Sequence, residues 1–86
     1  MKARLYTKDN CPFCTNAKTL LTNKGIEYSE IKIGRDVTRE EFMEALPAAK
    51  TVPQIYLTVS GSEFLVGGFI ELVAYFKANP DAGSGN

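Results

Sequence analysis

The sequence predicts an α/β domain, a four-stranded mixed sheet with three helices in the order β-α-β-α-β-β-α. Three observations carry that prediction. Apolar residues recur with a period of two in some stretches and of about 3.6 in others, and the two kinds of stretch alternate along the chain. The chain opens with a strand, a helix of about three turns and a second strand, a βαβ unit whose strands must run parallel. Two β-rich runs around Ser60-Gly61-Ser62 then read as a hairpin, followed by a last helix.

Each element has its own grammar. Residues 3–7, ARLYT, are short and apolar enough for a strand. Asn10 and Cys11 stand where a helix begins, and Pro12 takes its first position, where a missing N–H costs nothing. Cys14, Ala17 and Leu21 recur at i, i+3 and i+7 with Leu20 beside them, and Gly25 is the natural stop. Ile26 to Ile33 reads as the second strand, with Ile31 and Ile33 alternating against Glu30 and Lys32. Thr38-Arg39-Glu40-Glu41 matches a capping box. Phe42, Ala45 and Leu46 form the expected buried side of that short helix, and Pro47 closes it. The third and fourth strands come from residues 52–59 and 63–67, with Gly61 in the turn. Gly67-Gly68 breaks the pattern, and from Phe69 the helical period returns through Leu72, Val73 and Phe76 until Pro80. Residues 1–80 are read as the domain, and 81–86, small and polar, as a flexible tail without a role.

Composition narrows the function. At 86 residues and 44% hydrophobic, the chain has enough apolar surface for a core and too much for a disordered segment. No apolar run approaches the ~20 residues of a membrane span, and no signal peptide precedes the first strand. The expectation is a soluble, cytoplasmic protein. Net charge is zero, so nothing global argues for nucleic acid or a membrane surface. The charge is uneven, with nine Lys/Arg against seven Asp/Glu in residues 1–50, so a basic patch has to come from that half. The chain has no histidine, which removes imidazole catalysis and imidazole metal sites together. Two cysteines cannot fill a four-coordinate zinc site within one chain, and no metal site is expected.

Both cysteines lie in Asp9-Asn10-Cys11-Pro12-Phe13-Cys14. A disulfide between them closes a loop of only four residues, which removes little unfolded-state entropy and makes a poor clasp. The thiolate is the nucleophile, so what matters is which cysteine ionises more readily. Cys11 stands at the helix start, facing free backbone N–H groups and the positive end of the dipole. Pro12 has no N–H, so the donors must come from Phe13 and Cys14, while Lys8 adds a positive charge three residues upstream. Cys11 is therefore expected to have the lower pKa and to attack. Cys14 lies one turn on, within reach of a disulfide and inside the apolar stripe, and is expected to be buried and to resolve. The bland alternative is two ordinary cysteines near a helix start.

These residues resemble the dithiol (class I) glutaredoxins of the thioredoxin-fold superfamily, from about Ala3 to Phe76. Cys11-Pro12-Phe13-Cys14 is similar to that family's Cys-Pro-Tyr-Cys, with Phe13 in place of the tyrosine. Thr51-Val52-Pro53-Gln54-Ile55 matches a second landmark and Gly67-Gly68 a third. The resemblance implies the thioredoxin fold, a cis Val52-Pro53 bond, and Val52 placed beside Cys11 to pair with the cysteinyl backbone of glutathione. Taken alone, Pro53 reads as a plain strand-start proline. By the same resemblance Lys8 lies near the glycyl carboxylate, Phe13 and Thr51 flank the groove, and Lys50 supplies a second cation. Lys8 and Lys50 also read as ordinary solvated lysines.

One landmark departs from the family. Relatives commonly follow the two glycines with one variable residue and two aspartates, whereas this chain has Phe69-Ile70-Glu71. Ile70 replaces the aspartate that helps hold the γ-glutamyl end. The backbone at Gly68, Phe69 and Ile70 remains for a carboxylate. Glutathione, as reductant and co-substrate, is expected to be held less firmly than usual.

The leading expectation is an enzyme, a glutathione-dependent thiol–disulfide oxidoreductase with Cys11 as nucleophile. Its implied partners are glutathione and disulfide-bearing or glutathionylated proteins, ribonucleotide reductase among them, with the protein acting as a monomer. A second reading is a glutaredoxin-like redoxin recharged by a thioredoxin reductase. A third is a binding module, in which Cys11 of two chains and two glutathiones ligate an iron–sulfur cluster.

Overall fold

Alternation along the first strand puts Ala3 and Leu5 on one face and Arg4 and Tyr6 on the other, so both faces need cover. The computed structural model describes residues 1–82. Its elements are β1 (Lys2–Thr7), α1 (Pro12–Asn23), β2 (Glu27–Lys32), α2 (Arg39–Ala45), β3 (Gln54–Val59), β4 (Ser62–Gly67) and α3 (Phe69–Ala78). This is the expected order. The strands lie as β2-β1-β3-β4. β1 and β2 are parallel, with Thr7 opposite Lys32. β3 runs antiparallel to β1, placing Gln54 opposite Tyr6, and β4 runs antiparallel to β3.

One face of the sheet builds the core. Leu5, Ile55 and Leu57 from β1 and β3 meet Ala17 and Leu21 of α1 and Leu72 of α3, all fully buried. Burying each such leucine or isoleucine side chain contributes about 1.5–3 kcal/mol. The other face is covered more thinly. Tyr6 meets Phe42 of α2 edge-on, with ring centroids 5.1 Å apart. Beyond it, the Arg4 guanidinium lies 4.3 Å from the Tyr56 ring centroid and grips Glu63 through Nε and Nη2, at 2.9 and 3.1 Å.

The local signals appear where the sequence places them. Thr38 and Glu41 form the reciprocal capping box, Glu41 N–H to Thr38 Oγ1 at 3.0 Å and Thr38 N–H to Glu41 Oε1 at 2.8 Å. Ser60 and Gly61 both have positive φ, 52° and 83°, the conformation of a two-residue type I′ hairpin turn. Several local expectations change: β3 starts at Gln54 rather than at residue 52, and Ile33 falls beyond the end of β2. Ala45 is exposed and Leu46 only partly buried, because a seven-residue helix touches the sheet mainly through Phe42. Ile26 is buried but precedes β2, which begins at Glu27. Of the tail expected over 81–86, Ala82 packs against the core cluster and donates its N–H to Asn79 O at 2.9 Å, while residues 83–86 lie outside the described residues.

Candidate active site

The cysteine pair sits at the carboxyl end of β1, where ligands bind in open α/β sheets. Because Pro12 begins α1, Cys11 becomes the N-cap, with extended backbone at φ −121° and ψ 97°. Asn10 just before it takes φ 55°, a left-handed turn that asparagine tolerates. The Sγ of Cys11 accepts a hydrogen bond from the Cys14 N–H at 3.2 Å. Of the two amides expected to serve this sulfur, the contact comes from Cys14. One turn of helix brings the pair together, with Cα atoms 5.2 Å apart, and the two sulfurs are joined as a disulfide. Cys11 is partly exposed, whereas Cys14 is only 2% exposed. An incoming sulfur atom can therefore reach Cys11 and not Cys14.

The second landmark closes on the first. The Val52–Pro53 bond is cis, and Val52 O lies 3.8 Å from Cys11 Sγ. The Gln54 side chain donates to Thr51 O at 2.9 Å, which fixes the loop ahead of β3. Thr51, Val52 and Pro53 form one wall of a groove of about 340 Å³, inside the roughly 300–1,000 Å³ usual for ligand sites. Phe13, Gly68, Phe69, Ile70 and Glu71 complete it. Phe13 and Phe69 stack with centroids 6.1 Å apart, and Ile70 is 71% exposed. Seven of the residues expected at a ligand site thus share one groove.

Lys8 does not. It lines a neighbouring cleft of about 190 Å³ with Arg39 and Lys50, joined to the groove through Thr51 and Val52. Two features escaped the sequence reading. Arg39, read only as part of a capping box, brings a third cation beside Lys8 and Lys50. Glu71 turns back to accept the Gly68 N–H at 2.8 Å, capping α3 with a side chain. The Glu71-to-Gly68 spacing, three residues as in a capping box, was the available signal.

A third surface flanks the disulfide on the side of β2. The fully buried Thr7 donates its hydroxyl to Glu30 Oε2 at 2.6 Å, and Lys18 Nζ reaches the same oxygen at 3.1 Å. The Thr7 hydroxyl, with the Lys18 ammonium beside it, holds the Glu30 carboxyl below its ordinary range. Lys32 pairs with Asp9 at 3.0 Å. Lys18 stands at i+4 from Cys14, so this charged cluster and the cysteines line one cleft. Another cleft of about 550 Å³ opens between Lys2, Gly25 and Ser29, at the opposite end of β1 and β2. It contains no cysteine and no group of the reacting kind.

A disulfide-forming Cys-x-x-Cys at a helix N-terminus of a four-stranded mixed sheet, with one sulfur open and the other buried, defines a thioredoxin-fold thiol–disulfide oxidoreductase. The Glutaredoxin family profile matches residues 3–61. Glutaredoxin 3 of Escherichia coli K12 is 36% identical over 70 residues, 81% of this chain and 80% of its own. Hybrid peroxiredoxin hyPrx5 of Haemophilus influenzae is 39% identical over 72 residues, 84% of this chain, which spans only 28% of that longer protein. Among solved structures, glutaredoxin 1 of Francisella tularensis superposes with a TM-score of 0.72 at 27% identity, covering 93% of this chain and 96% of its own. The chain belongs to the glutaredoxin family. No helix among the described residues is long and apolar enough to cross a membrane.

Proposed function

We propose that this protein is a glutathione-dependent oxidoreductase that reduces protein disulfides and glutathione mixed disulfides. The observation that carries the reading is the approach of Cys11 Sγ to Val52 O, 3.8 Å, at the mouth of the groove. A substrate cysteine pairing its backbone with Val52 presents its sulfur to Cys11. The Cys11 thiolate attacks that sulfur, a mixed disulfide forms and the first thiolate leaves. Cys14, one turn away, then attacks the Cys11 sulfur, frees the second thiol and leaves the Cys11–Cys14 disulfide. Two glutathiones return the pair to the dithiol and leave as glutathione disulfide.

In this reading Lys8 takes the glycyl carboxylate, with Lys50 beside it, and Val52 holds the cysteinyl backbone. Phe13 and Phe69 wall the groove, Thr51 and Pro53 shape it, and the backbone from Gly68 to Ile70 receives the γ-glutamyl end. The proposed partners are glutathione and disulfide-bearing or glutathionylated proteins, with ribonucleotide reductase a candidate, and the proposed setting is a cytoplasmic monomer.

The test is recycling by glutathione and glutathione reductase on a glutathione mixed-disulfide substrate. Cys11→Ser should abolish turnover. Cys14→Ser should keep deglutathionylation and lose most protein-disulfide reduction. One observation favours a second reading, recharging by a thioredoxin reductase: Ile70 offers the γ-glutamyl end no polar side chain, and Glu71 already occupies the Gly68 N–H. Faster recycling by thioredoxin reductase than by glutathione would replace the first reading with the second.

A further inference from the structure

Val52 separates two unlike surfaces. Toward Ile70 the wall is apolar: Phe13 stacked on Phe69, and Ile70 exposed beside them. The one titratable side chain there, Glu71, is committed to the Gly68 N–H. On the other side of Val52, Lys8, Arg39 and Lys50 converge on one small cleft that no acidic residue lines. Among the described residues none of these three has an ion-pair partner, which is equally true of Lys2, Lys24 and Lys77; what sets the three apart is that they share one cleft. Three like charges gathered without a counter-charge favour an anion arriving from outside.

We infer that these two surfaces select disulfide substrates by the residues flanking the reactive cysteine: apolar before it and acidic after it. The inference rests on the reading above, in which the substrate backbone runs across Val52 with its carboxyl-terminal side toward Lys8. Glutathione meets this arrangement only halfway. Its glycyl carboxylate suits the cationic cleft, while its γ-glutamyl group brings both charges to an apolar wall. A protein segment of the kind Leu-Cys-Glu matches both sides. Arg39 and Lys50 are then specificity residues for the acidic side and Ile70 for the apolar side. The chemistry is unchanged. Cys11 attacks the peptide sulfur, the partner thiol leaves, and Cys14 frees the peptide thiol, so the pair loses two electrons to the substrate.

Short peptides carrying one cysteine, each as the mixed disulfide with 2-mercaptoethanol, test this with the pre-reduced protein in single turnover and no glutathione. At low ionic strength the peptide with acidic residues after the cysteine should react about tenfold faster than its lysine counterpart, the combined effect of three exposed pairs. The ratio should shrink as salt is added. Arg39→Glu with Lys50→Glu should reverse the order. Arg39 is the first residue of α2, where an acidic side chain suits the helix dipole, so that variant keeps its fold. Ile70→Asp should slow the Leu-preceded peptide several-fold and leave the acidic-over-basic ratio intact. Rates within twofold for acidic and basic peptides, or a preference that survives the double reversal, would overturn the inference. Because glutathione is absent, failure of glutathione recycling leaves this result standing, and the reverse also holds.

Discussion

The backbone amide of Cys14 donates to the sulfur of Cys11 across 3.2 Å. That contact is one of the differences between the two cysteines. Cys11 is the cap of α1 and partly open to solvent, while Cys14 is a helical residue turned into the core at 2% exposure. When the pair is reduced, the same amide and the helix dipole favour negative charge on Cys11. Iodoacetamide applied to the reduced protein near neutral pH should therefore alkylate Cys11 well before Cys14. Peptide mapping by mass spectrometry reads the order.

The charged cluster behind the pair gives a pH dependence. Glu30 is held below its ordinary carboxylate range, first by the Thr7 hydroxyl and then by Lys18. Its folded pKa is the lower one, so its contribution is present above the unfolded value, about 4.3, and is lost as pH falls through the folded one. Wild type should exceed Glu30→Gln in stability near neutral pH, and the gap should close as the pH falls below the ordinary glutamate range. Urea unfolding of both proteins across that range measures it.

The capping box of α2 is separable from catalysis. Thr38→Ala removes the acceptor for the Glu41 N–H and should cost about 1 kcal/mol. The urea midpoint should fall while peptide reduction in single turnover stays unchanged, since Thr38 lines neither the groove nor the cationic cleft.

Gly67 and Gly34 allow a paired comparison. Both have left-handed backbone, φ 121° and 95°, so an alanine strains either one. At Gly34 the added Cβ meets nothing within 4 Å, whereas at Gly67 it comes 3.0 Å from Glu71 Cγ. Gly67→Ala should therefore be the more destabilising of the two and should also weaken the Glu71 contact to the Gly68 N–H. Urea unfolding ranks them.

What could be read from the sequence was mostly local. The Cys11 cap, the Cys14-Ala17-Leu21 stripe, the Thr38 capping box and the Ser60-Gly61 turn each depend on a few neighbouring residues, and each is present. What escaped depends on meetings between distant segments. Arg39, at the start of α2, meets Lys8 from the end of β1 and Lys50 from the loop ahead of β3 in one cleft. Thr7 finds Glu30 because β1 and β2 run parallel in a particular register. Glu71 illustrates an intermediate case: its spacing to Gly68 was visible, but its closure onto that N–H at the wall of the groove is seen only in three dimensions.

The central claim of the proposed function is that Cys11 receives the incoming sulfur of a glutathione disulfide. The most direct measurement is incubation of Cys14→Ser with glutathione disulfide, followed by mass spectrometry of the intact protein and its peptides. A single glutathione on Cys11, absent from the matched Cys11→Ser protein, is the predicted result. An unmodified Cys11, or equal modification of Cys14 in the Cys11→Ser protein, would contradict it.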